Sequence, residues 1–444
     1  MKMKKWLFIV FLGTATVSAQ EPAHRYSLED AIAYALENNY SSVNASRDMI
    51  DAQKQQWEVI ADGLPQINAA ISYQNQLKQP ISLIPAEFFG GEPGTFTPIT
   101  FGQPQQANAT ATLRQQIFDG SYIVGVQATR TFLDYSQNNK EKTDQEVKAA
   151  VVNAYGNVLL AQETVTIAQN NMNTLEKTLF ETQKLFENGL GDEESVEQLQ
   201  ITLSSVESAL KNAQRLEGIT LQILNLVMGV PIATQTVLTE NLDDLTQEQI
   251  AFNMMDSELN ITNNVDYKLV LNLNEQRELE LKLARSRALP KLNAFINYGS
   301  TSFSDSFDFF SGDPEWFDSS VLGFDLDIPI FSSLKRSAGT QRAKIALDKA
   351  KTQLFETEER VRLDWQRARS DFQFAIEEYQ TKKNNLDLAE RIEQKNQIKY
   401  QEGLASSFEL RQAQTQLYTA QQEYLQSMVD VINRKTALEN ILNQ

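Results

Sequence analysis

Two stretches of this 444-residue chain, 120–188 and 334–402, contain no proline, and Gly339 is the only glycine inside the second before its closing turn. In the second stretch apolar residues recur at Leu347, Ala350, Leu354, Val361, Trp365, Ala368, Phe372, Ala375, Tyr379, Leu386 and Ala389. Steps of three, four or seven are the mark of a helix with one buried stripe. At 1.5 Å per residue each stretch predicts a helix about 100 Å long. Such a helix cannot fold into a globule and is expected to be one stave of an elongated coiled-coil bundle.

The two stretches belong to an internal duplication with a period of roughly 214 to 225 residues, the first thing to seek in a long chain. Leu64-Pro65-Gln66-Ile67-Asn68-Ala69 recurs as Leu289-Pro290-Lys291-Leu292-Asn293-Ala294, and Ile117-Phe118 as Ile330-Phe331. Phe186-Glu187-Asn188-Gly189-Leu190 recurs as Tyr400-Gln401-Glu402-Gly403-Leu404. Each copy therefore reads helix, strand, strand, long helix, Gly-Leu turn, helix. The first copy spans 20–228, a connector 229–264, and the second copy 265–444. Shorter helices are expected at 27–62, opened by a Ser27/Asp30 capping box, and at 192–228, 265–288 and 407–442.

Composition removes whole classes of function. With no Cys and one His, His24, the chain has no disulfide, thiol nucleophile or Cys-metal site, and a multi-His site or a catalytic triad is excluded too. A net charge of −18 argues against nucleic acid as a partner. Ser332-Ser333-Leu334-Lys335 matches an S-x-x-K pattern, yet no K-T-G follows it and it falls at a strand-to-helix junction. No enzyme activity, cofactor or metal is expected. Residues 1–19 have the layout of a secretory signal peptide: Lys2, Lys4 and Lys5, an apolar run, and Val17-Ser18-Ala19 before the cut. Removing three lysines takes the charge from −18 to −21. The exported chain is then either soluble or inserted through β-strands.

Four segments alternate with period two: 66–74, 108–117, 291–299 and 321–328. In the last, Leu322, Phe324, Leu326 and Ile328 oppose Asp325 and Asp327. About nine alternating residues suit a membrane strand, lipid on one side and water on the other, and also a half-buried sheet of a soluble protein. Export and the long helices favour the first. Closed barrels start at about eight strands, so four per chain requires several chains in one barrel: eight strands from two copies or twelve from three.

The signal peptide, the duplication, Leu-Pro entering the first strand of each copy and the Gly-Leu turns resemble the TolC-type outer-membrane efflux proteins, over about 26–444. The resemblance implies a homotrimer whose twelve-stranded β-barrel in the outer-membrane lipid continues as a long α-helical barrel across the periplasm. It also implies a periplasmic adaptor and an inner-membrane pump as partners, and a passive exit duct as function. It places tip turns and adaptor contacts at Gly189, Leu190, Gly403 and Leu404, and a tip gate at Tyr400 and Glu409. Ala405 and Ser195 stand where the family's gate has an arginine and an aspartate. On the strands, Asp325 and Asp327 are expected to face the barrel lumen. The acidic, aromatic loop 304–318 lacks the spacing of an EF-hand and reads as an extracellular loop, as does 77–106 with its five prolines and four glycines. An exported, non-conducting coiled-coil scaffold or adhesin fits the long helices equally well; the duplicated strand pairs and the remote Gly-Leu turns favour the duct.

Overall fold

The computed structural model describes residues 24–251, 257–311 and 315–443; the signal-peptide segment lies outside them. In chain order the elements are β1 (His24–Tyr26), α1 (Leu28–Asn38), α2 (Tyr40–Asp62), β2 (Gln66–Asn75), β3 (Ile81–Pro85), β4 (Phe96–Thr100), β5 (Gln105–Asp119), α3 (Gly120–Glu187), α4 (Glu193–Met228), β6 (Thr236–Leu238), α5 (Leu242–Ala251), α6 (Val265–Ser286), β7 (Lys291–Ser304), β8 (Trp316–Asp327), α7 (Lys335–Gln401) and α8 (Ser407–Leu442). The chain divides into one unit of 1–43, 145–257 and 368–438, and another of 44–144, 258–367 and 439–444.

The first unit is built on helices. Ser27 opens α1 with the expected capping box: its hydroxyl accepts the Asp30 N–H at 3.1 Å and its own N–H donates to the Asp30 carboxylate at 3.3 Å. The single helix expected over 27–62 is instead broken at Asn39, whose backbone is extended (φ −59°, ψ 136°). The cause is tertiary. Asn39 donates its amide to the Val227 carbonyl at 2.6 Å and accepts the Ser41 N–H at 2.7 Å, so it caps α2 while tying it to the end of α4. At that end Gly229 takes a left-handed φ of 79° and lies so close that a Cβ would be 2.2 Å from the Asn38 carbonyl oxygen.

The connector supplies two elements that hydropathy did not mark. Strand β6 pairs in parallel with β1, and α5 is held to α8 by Tyr424 donating to Asp243 (3.1 Å) and Lys435 donating to Gln249 (2.7 Å). On α7 the predicted stripe is the packed face: Ala368, Phe372, Ala375, Tyr379 and Ala389 are buried.

The second unit holds a four-stranded antiparallel sheet in the order β2-β5-β7-β8. Period two gives it two chemically distinct faces. Ile67, Ile71, Leu113, Ile296, Leu322 and Phe324 share one; Asn68, Thr112, Asn293, Asn297 and Asp325 share the other. Phe295 is an aromatic exception on the polar face, as are Phe303 and Phe317 farther along the strands. Phe295 lies opposite Gly323, and a Cβ there would be 2.4 Å from its ring, so the ring covers the backbone that glycine leaves bare. Strands β7 and β8 run further into the loop than alternation indicated, placing Trp316 and Phe317 in β8. The 77–106 segment contains a hairpin of its own, β3 paired with β4.

Gly229 and Gly218, both in or at the end of α4, give opposite expectations. Nothing lies within 4 Å of a Cβ built at Gly218. Gly218→Ala should stabilise the chain by up to about 1 kcal/mol, the helix-interior difference. Gly229→Ala should cost more than about 1–2 kcal/mol, because it adds a clash to the left-handed penalty. Urea unfolding of the two variants reads both signs.

Candidate functional site

The two Gly-Leu turns are copies of one backbone device. After α3, Gly189 (φ 76°) donates to the Phe186 carbonyl and Leu190 to the Leu185 carbonyl, each at 2.9 Å. After α7, Gly403 (φ 71°) donates to Tyr400 at 3.0 Å and Leu404 to Lys399 at 2.7 Å. This paired bonding is the Schellman motif, which ends a helix on a left-handed residue and satisfies its last carbonyls. A Cβ at either glycine would meet nothing within 4 Å, so glycine is required by φ and not by space. The leucines that follow are left 77% and 78% exposed, two apolar side chains in water at the turns.

Each turn leads into a side-chain cap, and here the structure places the acidic residues. Asp192 caps α4, accepting the Ser195 N–H at 2.7 Å and its hydroxyl at 2.9 Å. These bonds hold the Asp192 carboxyl below the usual carboxylate range. Ser195, which stands where the family has an aspartate, is thus the partner of the cap. Ser406 caps α8 in a reciprocal box with Glu409: the Glu409 N–H donates to the Ser406 hydroxyl at 3.3 Å, and the Ser406 N–H donates back to the carboxylate at 2.8 Å. The Ser406 N–H and the Ser406 hydroxyl (3.1 Å) both donate to the Glu409 carboxylate and, helped by Lys399, lower its pKa. The signal was in the sequence as Ser406-x-x-Glu409, the spacing that marks α1.

Tyr400 is engaged elsewhere, and among the described residues no hydrogen bond joins it to Glu409. Its hydroxyl lies 3.0 Å from that of Thr182. Thr182 already donates its one hydroxyl proton to the Thr178 carbonyl at 2.9 Å, so Tyr400 is the donor. Its ring packs against the Leu175–Leu199–Val206 cluster. Ser407 to Gln198 (3.0 Å) and Gln401 to Glu181 (3.3 Å) add two more links between the α3–α4 and α7–α8 hairpins. Sequence alone could not have paired residues over two hundred positions apart.

Farther along the same helices a polar group is buried without full partners. Among the described residues the Gln414 carbonyl oxygen has no hydrogen bond, while Gln414 donates to the half-buried Glu393. Burial pushes the Glu393 carboxyl up, the Gln414 bond opposing it. Burial, and then the Glu393 charge, push the Tyr418 hydroxyl up to about 12.

On the sheet, Asp325 and Asp327 lie on the polar face of β8, opposite Asn293 and Lys291, and both are exposed. Lys291 pairs with Asp119 of β5 at 2.8 Å. Among the described residues, the outermost strands β2 and β8 each have one edge without a partner strand.

Glu393 supplies a pH prediction. Its folded value lies above the ordinary 4.5, so the folded protein is penalised for the charged form at neutral pH, and the penalty fades as pH falls through the raised value. Glu393→Gln removes the charge and provides an N–H for the orphaned Gln414 oxygen. Its melting temperature should exceed that of the parent at neutral pH, with the gain vanishing below pH 4.5.

Residues 273–444 match the family model described as outer membrane efflux protein. No curated protein matches. Among solved structures, the Campylobacter jejuni CmeC outer membrane channel shares 16% identity at a TM-score of 0.73, over 100% of this chain and 93% of that one. VceC, an outer membrane protein of Vibrio cholerae, shares 16% at 0.70, covering 94% and 95%. The open state of the Neisseria gonorrhoeae MtrE outer membrane channel shares 18% at 0.71, covering 94% and 88%. In sequence over 273–444 and in fold over nearly its whole length, the chain resembles the TolC-type outer-membrane efflux proteins.

Proposed function

We propose that three copies of this chain close their sheets into one twelve-stranded barrel in the outer membrane, continued through the periplasm by their helices. The assembly is a passive exit duct of a tripartite efflux or export pump. The signal peptide, 1–19, directs export, and the connector 229–264 joins the two repeats, 20–228 and 265–444.

The observation that carries this reading is the sheet. Ile71 is 83% exposed and Phe324 67%, on a face whose other side is polar. Leaving such a side chain in water forfeits roughly 1.5–3 kcal/mol. Lipid on that face and water on the other resolve the conflict, provided the edges close. Asp325 and Asp327 then line the lumen and favour cations. At the tip, Gly189-Leu190 and Gly403-Leu404 present their leucines to the adaptor. Tyr400 holds the two hairpins together until the adaptor draws them apart, and Glu409 keeps the start of α8 wound at the constriction.

Conductance in a planar lipid bilayer tests the duct. The parent should give a small, steady, cation-preferring current. Tyr400→Ala should raise it, and Asp325→Asn with Asp327→Asn should reduce the cation preference without closing the pore. No current from correctly inserted protein would leave the non-conducting scaffold.

A further inference from the structure

The duplication does more than predict that the sheet closes: it supplies the register of the closing pair. First strands of the two copies correspond as Tyr73 to Tyr298, Ile71 to Ile296 and Asn68 to Asn293; second strands correspond as Phe118 to Phe331 and Leu113 to Leu326. Within the chain, the second strand of copy one, β5, pairs with the first strand of copy two, β7. The complementary pairing, β8 with β2, cannot form in one chain, because β5 and β7 lie between them. Resting on the trimeric duct proposed above, we infer that β8 pairs with β2 of the partner subunit in the register that β5 and β7 display. Asp325 then lies opposite Ser72 of the partner subunit, Asp327 opposite the partner's Ala70, and Phe331 opposite the partner's Ile67.

Three observations support this register. The first is facial agreement. Thr112 pairs with Asn297 on the polar face and Leu113 with Ile296 on the apolar one. Their images, Asp325 with the partner's Ser72 and Leu326 with the partner's Ile71, keep polar with polar and apolar with apolar. A slip of one residue would reverse this, so the competing registers differ by two.

The second is chemical. Asn297 donates to the Thr112 hydroxyl at 3.2 Å, and its image is a serine hydroxyl facing a carboxylate, a donor and an acceptor again.

The third is the state of 328–334. In copy one β5 runs straight into α3, and its last residues are paired: Phe118 with Leu292 and Asp119 with Lys291, past a bulge at Ile117. In copy two β8 stops at Asp327, although Ile328-Pro329-Ile330-Phe331-Ser332 occupies the equivalent place. Ile330, Phe331 and Leu334 are exposed, and Ser333 and Leu334 adopt left-handed φ of 46° and 64° that non-glycine residues rarely take. This is a strand end whose partner is the start of β2 in another chain. On assembly it joins the sheet, with Ile330 as the bulge and Pro329 beside it, where prolines in sheets are tolerated.

The chain contains no cysteine, so cysteine pairs report the register without background. Directly opposed Cβ atoms are about 4.5–5.5 Å apart and diagonal ones about 7–8 Å, beyond the reach of a disulfide. Asp325→Cys is combined in turn with Ser72→Cys, Ala70→Cys and Gln74→Cys, each single variant first being shown by native mass spectrometry to match the parent assembly. Under mild oxidation in membranes the Ser72 pair should give covalent dimers and closed trimers on a non-reducing gel, and the other two should stay largely monomeric. Stronger crosslinking through Ala70 or Gln74, or none from any pair in an intact trimer, would overturn the register. A parent chain that is not trimeric would overturn the duct reading itself.

Discussion

The backbone hydrogen bonds along β2 and β8 decide what this chain can be. Each outer strand of the sheet offers a row of N–H and C=O groups with no partner strand among the described residues. In water such an edge can be solvated; in hydrocarbon each unsatisfied group costs several kcal/mol. The apolar face, with Ile67, Ile71, Leu322 and Phe324 exposed, is equally unsuited to water. One arrangement satisfies both demands: closure with other copies, apolar face outward. The strand count of the assembly follows from that closure.

At the other functional element the chain spends little chemistry on large effects. A left-handed glycine ends each long helix, and a side-chain cap starts the next one, Asp192 in one hairpin and the Ser406–Glu409 box in the other. Caps are worth about 1 kcal/mol each, enough to fix where a helix begins without making the turn rigid. Tyr400 adds a single neutral hydrogen bond, worth about 0.5–1.5 kcal/mol net, between two hairpins.

Much of this was legible in the sequence, for identifiable reasons. Period two marked all four strands of the sheet, because a strand with two unlike faces has to alternate. The duplication marked both Gly-Leu turns, because only glycine takes the left-handed position cheaply. What escaped notice depended on distance or on weak pattern. The break at Asn39 has no proline or glycine to announce it; its cause is the close approach of Gly229, nearly two hundred residues away. The Tyr400–Thr182 bond spans a similar separation. The β3–β4 hairpin is hidden among prolines and glycines that read as loop. Glu409 carries a second, local signal beside its place in the resemblance: the Ser406-x-x-Glu409 spacing specifies a helix cap.

The closure of the sheet is tested most directly by amide hydrogen exchange on the protein in lipid, read strand by strand. In a closed barrel β2 and β8 have partners on both sides, so their amides should be protected as strongly as those of β5 and β7. If β2 and β8 exchange rapidly while β5 and β7 remain protected, the sheet is open, and the account of this chain as a membrane duct is wrong.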